Sequence, residues 1–239
     1  MEALVVLIIL AFAGLFFYII KAHKRHKEML RQLRSRHGFI AVPSVDQQLV
    51  DKAKAITATK SSLRLQDVYK REESGYTIYD ALVKQGSDSD SDSRKFIVVG
   101  RDWDIPAFKL SPKFDELGML GGLLGKAMQW ILKRGGYQQM TIEGAPQFNK
   151  KYILVAKDPT QVQQHFTTEF WRSLADWPTY VLLEVEGDTM VFGTAYPMNR
   201  GKKVSSAEYE ERRLKEVIEH AQKLDRLLSA EARERERAW

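Results

Sequence analysis

The feature that most limits what this chain can become is its start. From Ala3 to Ile20 run eighteen successive residues without a charge (ALVVLIILAFAGLFFYII). A helix over them is about 27 Å long, enough to cross the hydrocarbon layer of a bilayer. A helix buried in a soluble core would show a polar face within two turns, and this run shows none. A cleavable secretory signal carries a basic segment before its apolar stretch and small residues at its end. Here Glu2 precedes the run and Tyr18-Ile-Ile-Lys21 follows it. The expectation is a retained, single-pass transmembrane helix over residues 1–20, with Tyr18 at the interface.

Charge supplies the orientation. The chain has a formal net charge of +6. The stretch after the apolar run holds Lys21, Lys24, Arg25, Lys27, Arg31, Arg34 and Arg36 against one acid, Glu28, a balance equal to the excess of the whole chain. The remainder is neutral overall, so nucleic acid is not an expected partner. Basic residues beside a span mark its cytoplasmic side and attract anionic headgroups. The seven cations are therefore expected to contact the membrane surface, with the N-terminus outside and the rest cytoplasmic. Residues 21–43 form a basic juxtamembrane connector. Its first part continues as a helix with Met29, Leu30 and Leu33 on one side, either lying along the headgroups or standing as a solvated stalk.

The chain has no cysteine. That removes disulfides, thiolate metal sites, iron–sulfur clusters and a cysteine nucleophile.

Residues 44–204 read as an α+β domain. Ser44 and Gln47 have capping-box spacing ahead of Val45, Leu49, Ala53 and Ile56, which recur at helical intervals, so a helix is expected over 45–58. Leu63–Tyr69 and Tyr76–Val83 form a hairpin, with Gly75 available for positive φ. The acidic, serine-rich residues 86–94 form a flexible loop. A strand resumes over 95–100, and after Pro106 a short one follows at 107–110.

Ser111-Pro112 reads as the start of a helix running to Lys133-Arg134, stopped by Gly135-Gly136. It either packs in the core or touches the membrane surface, with Trp130 at headgroup level. Strands are expected at 140–142 and 152–156. Asp158-Pro159 starts one helix carrying Val162, Phe166, Phe170 and Leu174, ended by Pro178. A second hairpin turns at Gly187-Asp188. Ser205 and Glu208 cap a C-terminal helix reaching about residue 235, within a last segment spanning 205–239. Its apolar stripe is Leu214, Val217, Ile218, Ala221, Leu224 and Leu228, and its tail from Glu231 is expected to be solvated and fraying. The stripe has the spacing of a short coiled coil, so a homodimer through this helix is an alternative to packing on its own domain. Hairpins force a largely antiparallel sheet, with helices expected on one face.

Motifs for chemistry are sparse. The stretch from Gly118 to Lys126 departs from a phosphate loop at Leu120 and Ala127. Asp88, Asp90 and Asp92 have the spacing of a calcium loop, but Ser93 and Val99 stand where its glycine and closing glutamate belong. Asp102 and Asp104 would lie about 7 Å apart on one side of an extended segment, a candidate carboxylate pair, with Trp103 between them as a candidate recognition aromatic. His165 and His220 fall on expected helices, with no partner evident nearby in sequence.

The segments Asp104-Ile-Pro-Ala-Phe-Lys-Leu-Ser-Pro112 and Phe148-Asn-Lys-Lys-Tyr-Ile-Leu-Val155, with the anchor and its basic flank, resemble a family of uncharacterised bacterial single-span membrane proteins. The resemblance covers about residues 60 to 195. It implies a bacterial inner membrane, and no site residues or cofactor to carry over. The resulting expectation is a membrane-anchored, non-enzymatic interaction or scaffolding protein that binds a protein partner or the membrane surface. The alternatives are a metal-dependent hydrolase or transferase working near the membrane through Asp102 and Asp104, and an anionic-lipid sensor.

Overall fold

Alternation along the middle strands decides the layering. In Tyr76–Val83, Tyr76 and Ile78 point one way and Ala81 and Val83 the other, and all four are buried. The same holds in Phe96-Ile-Val-Val99, where Phe96 and Val98 join one cluster and Ile97 the other. A strand apolar on both faces must be covered on both. The expectation of helices on one face alone is therefore corrected.

The computed structural model describes residues 2–57, 63–85, 93–113, 136–177, 180–195 and 206–237, and leaves out the side chains of 2–14, 85, 194–195, 206 and 233–237. The helices are α1 (Glu2–Arg36), α2 (Gln47–Thr57), α3 (Pro146–Lys151), α4 (Pro159–His165), α5 (Thr168–Ala175) and α6 (Ser206–Arg237). The strands are β1 (Ile40–Ala41), β2 (Leu63–Glu72), β3 (Tyr76–Gln85), β4 (Ser93–Gly100), β5 (Ile105–Pro112), β6 (Gln138–Met140), β7 (Tyr152–Ala156), β8 (Tyr180–Gly187) and β9 (Thr189–Ala195). Among the described residues they form one sheet in the order β1-β2-β3-β4-β9-β8-β5-β7-β6. Every neighbouring pair is antiparallel. The class is α+β with a long C-terminal helix.

On one face lie α6, the cluster α3–α5 and the end of α1, and on the other lies α2. The larger core is aromatic. Phe108 of β5 meets Phe166 and Trp171 edge-on at 5.7 and 5.6 Å, and Trp171 also touches Phe148 and Phe170 at 5.0 Å each. The whole apolar stripe of α6, from Leu214 to Leu228, is buried in this core. The stripe that has coiled-coil spacing is thus used within the protomer.

Several local expectations are corrected. The N-cap of α2 is Asp46, whose Oδ1 accepts from Gln48 N at 2.9 Å, rather than Ser44. Ser111 and Pro112 do not open a helix. They end β5, opposite Ile153 and Tyr152. Pro106 lies inside β5 at an irregular register between Ile105 and Phe108, the one kind of place where a central strand tolerates it. The helix expected beyond Pro112 lies, after Lys113, outside the described residues with the glycine-rich stretch, and so does the acidic loop expected over 86–94 except for Ser93 and Arg94, which open β4 instead.

Asp158 does cap α4, accepting from Gln161 N at 3.0 Å. The chain then breaks at Phe166, and Thr167, in extended backbone, starts α5 anew. Glu231 supplies a reason: its carboxylate accepts the Thr167 hydroxyl at 2.5 Å and the Thr167 amide at 3.2 Å. A carboxylate at a helix start satisfies an orphan donor and favours the dipole. Glu231 is accordingly only 6% exposed, not part of a fraying tail. Gly75 is not in the left-handed region. Its missing side chain instead leaves room for α6, since a Cβ there would stand 3.0 Å from Asp225 Oδ1.

Among the described residues no helix is long and apolar enough to cross a membrane. The span expected over residues 3–20 is therefore not shown by the structure, and the side chains of its part up to residue 14 lie outside the description.

Two outcomes follow from the core. Phe108→Ala removes a fully buried ring at the centre of the aromatic cluster and lowers unfolding free energy by about 3–5 kcal/mol in urea titration. His220 of α6, 5% exposed, lies flat against Trp177 at 4.4 Å. Burial, helped by Lys223 and Lys151, pushes its pKa down from 6.5 to about 4. The folded state therefore resists protonation that the unfolded chain accepts. Stability is intact above the unfolded value near 6.5 and is lost as pH falls towards 4, by on the order of 3 kcal/mol. The acid slope of stability flattens across that window in His220→Phe, read from denaturation at stepped pH.

Candidate functional site: the junction of α1 with the domain

α1 runs unbroken through the apolar and basic stretches before it reaches the domain. Leu15, Phe16, Phe17, Tyr18, Ile19 and Ile20 are all exposed, between 39 and 70%. Six successive residues cover every side of a helix, so no single neighbour inside the chain could shield them. Lys21, Lys24, Arg25, Lys27, Arg31 and Arg36 are likewise exposed.

Arg34 departs from the expected membrane-contact set. It is 4% exposed and donates from Nε to Asp80 Oδ2 at 2.7 Å. The stripe of Met29, Leu30 and Leu33 turns inward with it: Leu33 is in the main core, and Met29 and Leu30 are half-buried. The helical stalk thus lays its apolar side on the domain and leaves the basic side out.

Asp80 lies in the inward row of β3 after Tyr76 and Ile78, and is fully buried. Its Oδ1 accepts from Arg94 Nε of β4 at 2.7 Å and from Arg213 Nη2 of α6 at 3.3 Å. Arg94 follows from strand geometry, because it stands diagonally across from Asp80 on the same face. Its Nη2 also donates to the Asp67 carbonyl at 2.9 Å, which a bulge in β2 presents, with Asp67 at φ +46°. The guanidinium of Arg213 lies over Phe96 at 4.4 Å, and that of Arg34 over Tyr69 at 4.8 Å. Glu210 reaches Arg213 at 3.4 Å. Buried charges persist when donors surround them, and this carboxylate accepts from three guanidinium groups. The cluster joins α1, β3, β4 and α6 at one carboxylate.

The chain reversal after α1 tightens the joint. Gly38, at φ +77°, closes a left-handed helix stop in which Phe39 N donates to Arg34 O at 2.9 Å. Phe39 then returns to the core beside Leu33, and Arg71 Nη1 donates to the His37 carbonyl at 2.6 Å.

The carboxylate pair does not gather a metal site. Asp102 and Asp104 are exposed in the β4–β5 connection, and among the described residues no group of three or more His, Asp or Glu is placed to hold a metal ion. Asp104 lines a cleft of about 340 Å³ with Lys157, Asp158, His165 and Glu186, where Lys157 and Glu186 pair at 2.7 Å. Trp103 is half-buried, stacked on Tyr76 at 6.1 Å, in space that any Cβ at Gly100 would occupy. It serves packing rather than recognition.

The segments Asp104–Pro112 and Phe148–Val155 pair with each other, Leu110 opposite Leu154 and Lys109 opposite Val155. Compared with protein-family models, curated proteins and solved structures, the chain matches none.

Asp80→Ala would leave three guanidinium groups, those of Arg34 and Arg213 buried and that of Arg94 half-buried, without their common acceptor. We expect a loss of about 3–5 kcal/mol in chemical denaturation. Lys24→Ala, on the exposed side of α1, should stay within about 0.5 kcal/mol of the parent.

Proposed function

We propose that the protein is a single-pass membrane protein whose α+β domain serves as an interaction module beside a cytoplasmic membrane surface. The observation that carries this reading is the pair of stretches on α1: apolar residues exposed around the whole helix, followed directly by exposed cations. A patch of that kind on a helix calls for an apolar cover, and the eighteen uncharged residues from Ala3 to Ile20 match the thickness of a hydrocarbon layer. Lys21, Lys24, Arg25, Lys27, Arg31 and Arg36 then stand at headgroup level and beyond, and set the N-terminus outside. The resemblance to bacterial single-span proteins supports an inner membrane as the location. The scaffolding role draws on the domain's well-ordered core, offered to the cytoplasm from a fixed address.

Contact with anionic lipid is a second reading, favoured by those six exposed cations. Surface lysines and arginines near an anionic leaflet contribute about 1 kcal/mol each. Only the residues of the first turns lie within a Debye length, about 8 Å, of the headgroups.

The test uses the full chain. Reconstituted protein should float with vesicles and resist extraction by carbonate, and a compartment-sensitive reporter fused after Trp239 should read cytoplasmic. Release by carbonate would remove the anchor, and a far-side signal would overturn the orientation. Affinity capture from solubilised membranes should recover a specific partner, and repeated recovery of none would count against the interaction role. Vesicles with and without anionic lipid separate the second reading, since weaker binding to neutral vesicles by a chain with Leu10→Arg in the apolar run is expected only if the cations contribute.

A further inference from the structure

We infer that α1 is a rigid strut latched into the domain, so that the domain is held at a set height and orientation instead of swinging on a flexible tether. The height rests on the membrane reading above; the latch does not. One continuous helix carries both the exposed apolar residues and the docked end. From Ile20 to Arg34 it advances about 21 Å. No glycine or proline falls between Lys21 and Arg36, so nothing in the sequence supplies a hinge there.

The docked end is held at three places, and the ion pair is the one that fixes its register. Leu33 and Phe39 sit in the main core, Arg34 is the third donor to Asp80, and Arg71 grips the His37 carbonyl. A flexible tether needs none of these. A solvated stalk would not bury an arginine.

Arg34 is also the separable member of the cluster. Without it, Asp80 keeps Arg94 on β4 and Arg213 on α6, so the sheet and α6 stay joined while α1 loses its ionic hold. The domain's fold and the docking of the strut can therefore be tested apart.

The chain has no cysteine, so Lys27→Cys and Glu219→Cys place the only two thiols on exposed sites of α1 and α6. Spin labels there report the distance between strut and domain by pulsed electron paramagnetic resonance, in full-length protein in nanodiscs and in detergent. A single narrow distance distribution, the same in both media, is expected. Arg34→Gln should broaden it and lose the narrow peak while the domain still melts cooperatively. Insertion of Gly-Ser-Gly after Glu28, which spares the docked end, sets the width of a true flexible tether and serves if Arg34→Gln fails to fold. A parent distribution as broad as that of the insertion overturns the strut, and an unchanged narrow peak in folded Arg34→Gln overturns the latch. Failure to float with vesicles, with the narrow peak retained, removes the membrane reading and leaves the strut.

Discussion

The carboxylate of Asp80 is the point on which the arrangement of this protein turns. A charge with no exposure is tolerated only when donors surround it, and its donors arrive from three elements: Arg34 on α1, Arg94 on β4 and Arg213 on α6. Because one anion must satisfy all three, the helix entering the domain, the middle of the sheet and the final helix cannot be placed independently. The aromatic rings beneath the cations fix their planes. Tyr69 underlies Arg34 and Arg94, and Phe96 underlies Arg213. Apolar packing would let α1 slide by a turn, but a guanidinium facing a buried carboxylate admits one register.

The long helix α6 ties this joint to the rest. Near its start Arg213 reaches Asp80, and near its end Glu231 caps α5. Between them its stripe covers the sheet. The same helix therefore spans from the β2–β4 side of the sheet to the aromatic cluster around Trp171, and each of these two contacts pairs a charge with a defined acceptor or donor. On the opposite face, α2 is fixed in a similar manner: Lys109 of β5 donates to the Ile56 carbonyl at its end and also pairs with Glu184.

Much of this architecture is legible in the sequence. Hairpins at residues 63–83 and 180–193, the strand at 152–156, and the extents of α2 and α6 follow from periodicity and turn residues, because those elements are set locally. The two-sided cover was legible too, in the unbroken Phe-Ile-Val-Val of β4, but a run of that kind reads as easily as one strand among many. What sequence could not supply is pairing at a distance. Asp80 in an apolar row was a signal, a polar residue where Tyr76 and Ile78 predict another hydrophobe, yet its partners lie 46, 14 and 133 residues away. Arg34 looked like one of seven similar cations. Only burial separates it from Arg31 and Arg36. The break at Thr167 was hidden because Val162, Phe166, Phe170 and Leu174 keep helical spacing across it, and the carboxylate that rewards the break comes from Glu231, 64 residues on.

The order of synthesis gives the joint a direction in time. A chain made from its N-terminus exposes Arg34 first, then Asp80 and Arg94, and supplies Arg213 last, 133 residues after Asp80. Until then the carboxylate stays open to water on a sheet whose central strands also lack their neighbours, since β4 pairs with β9 and β5 with β8. The set of donors is complete only once α6 has emerged. The apolar stretch from Ala3 to Ile20 precedes every strand in this order of synthesis. The strand that carries the anion and the helix that completes its shell are thus separated by the synthesis of most of the sheet, and the unfinished sheet spends that interval with its inward carboxylate short of a donor.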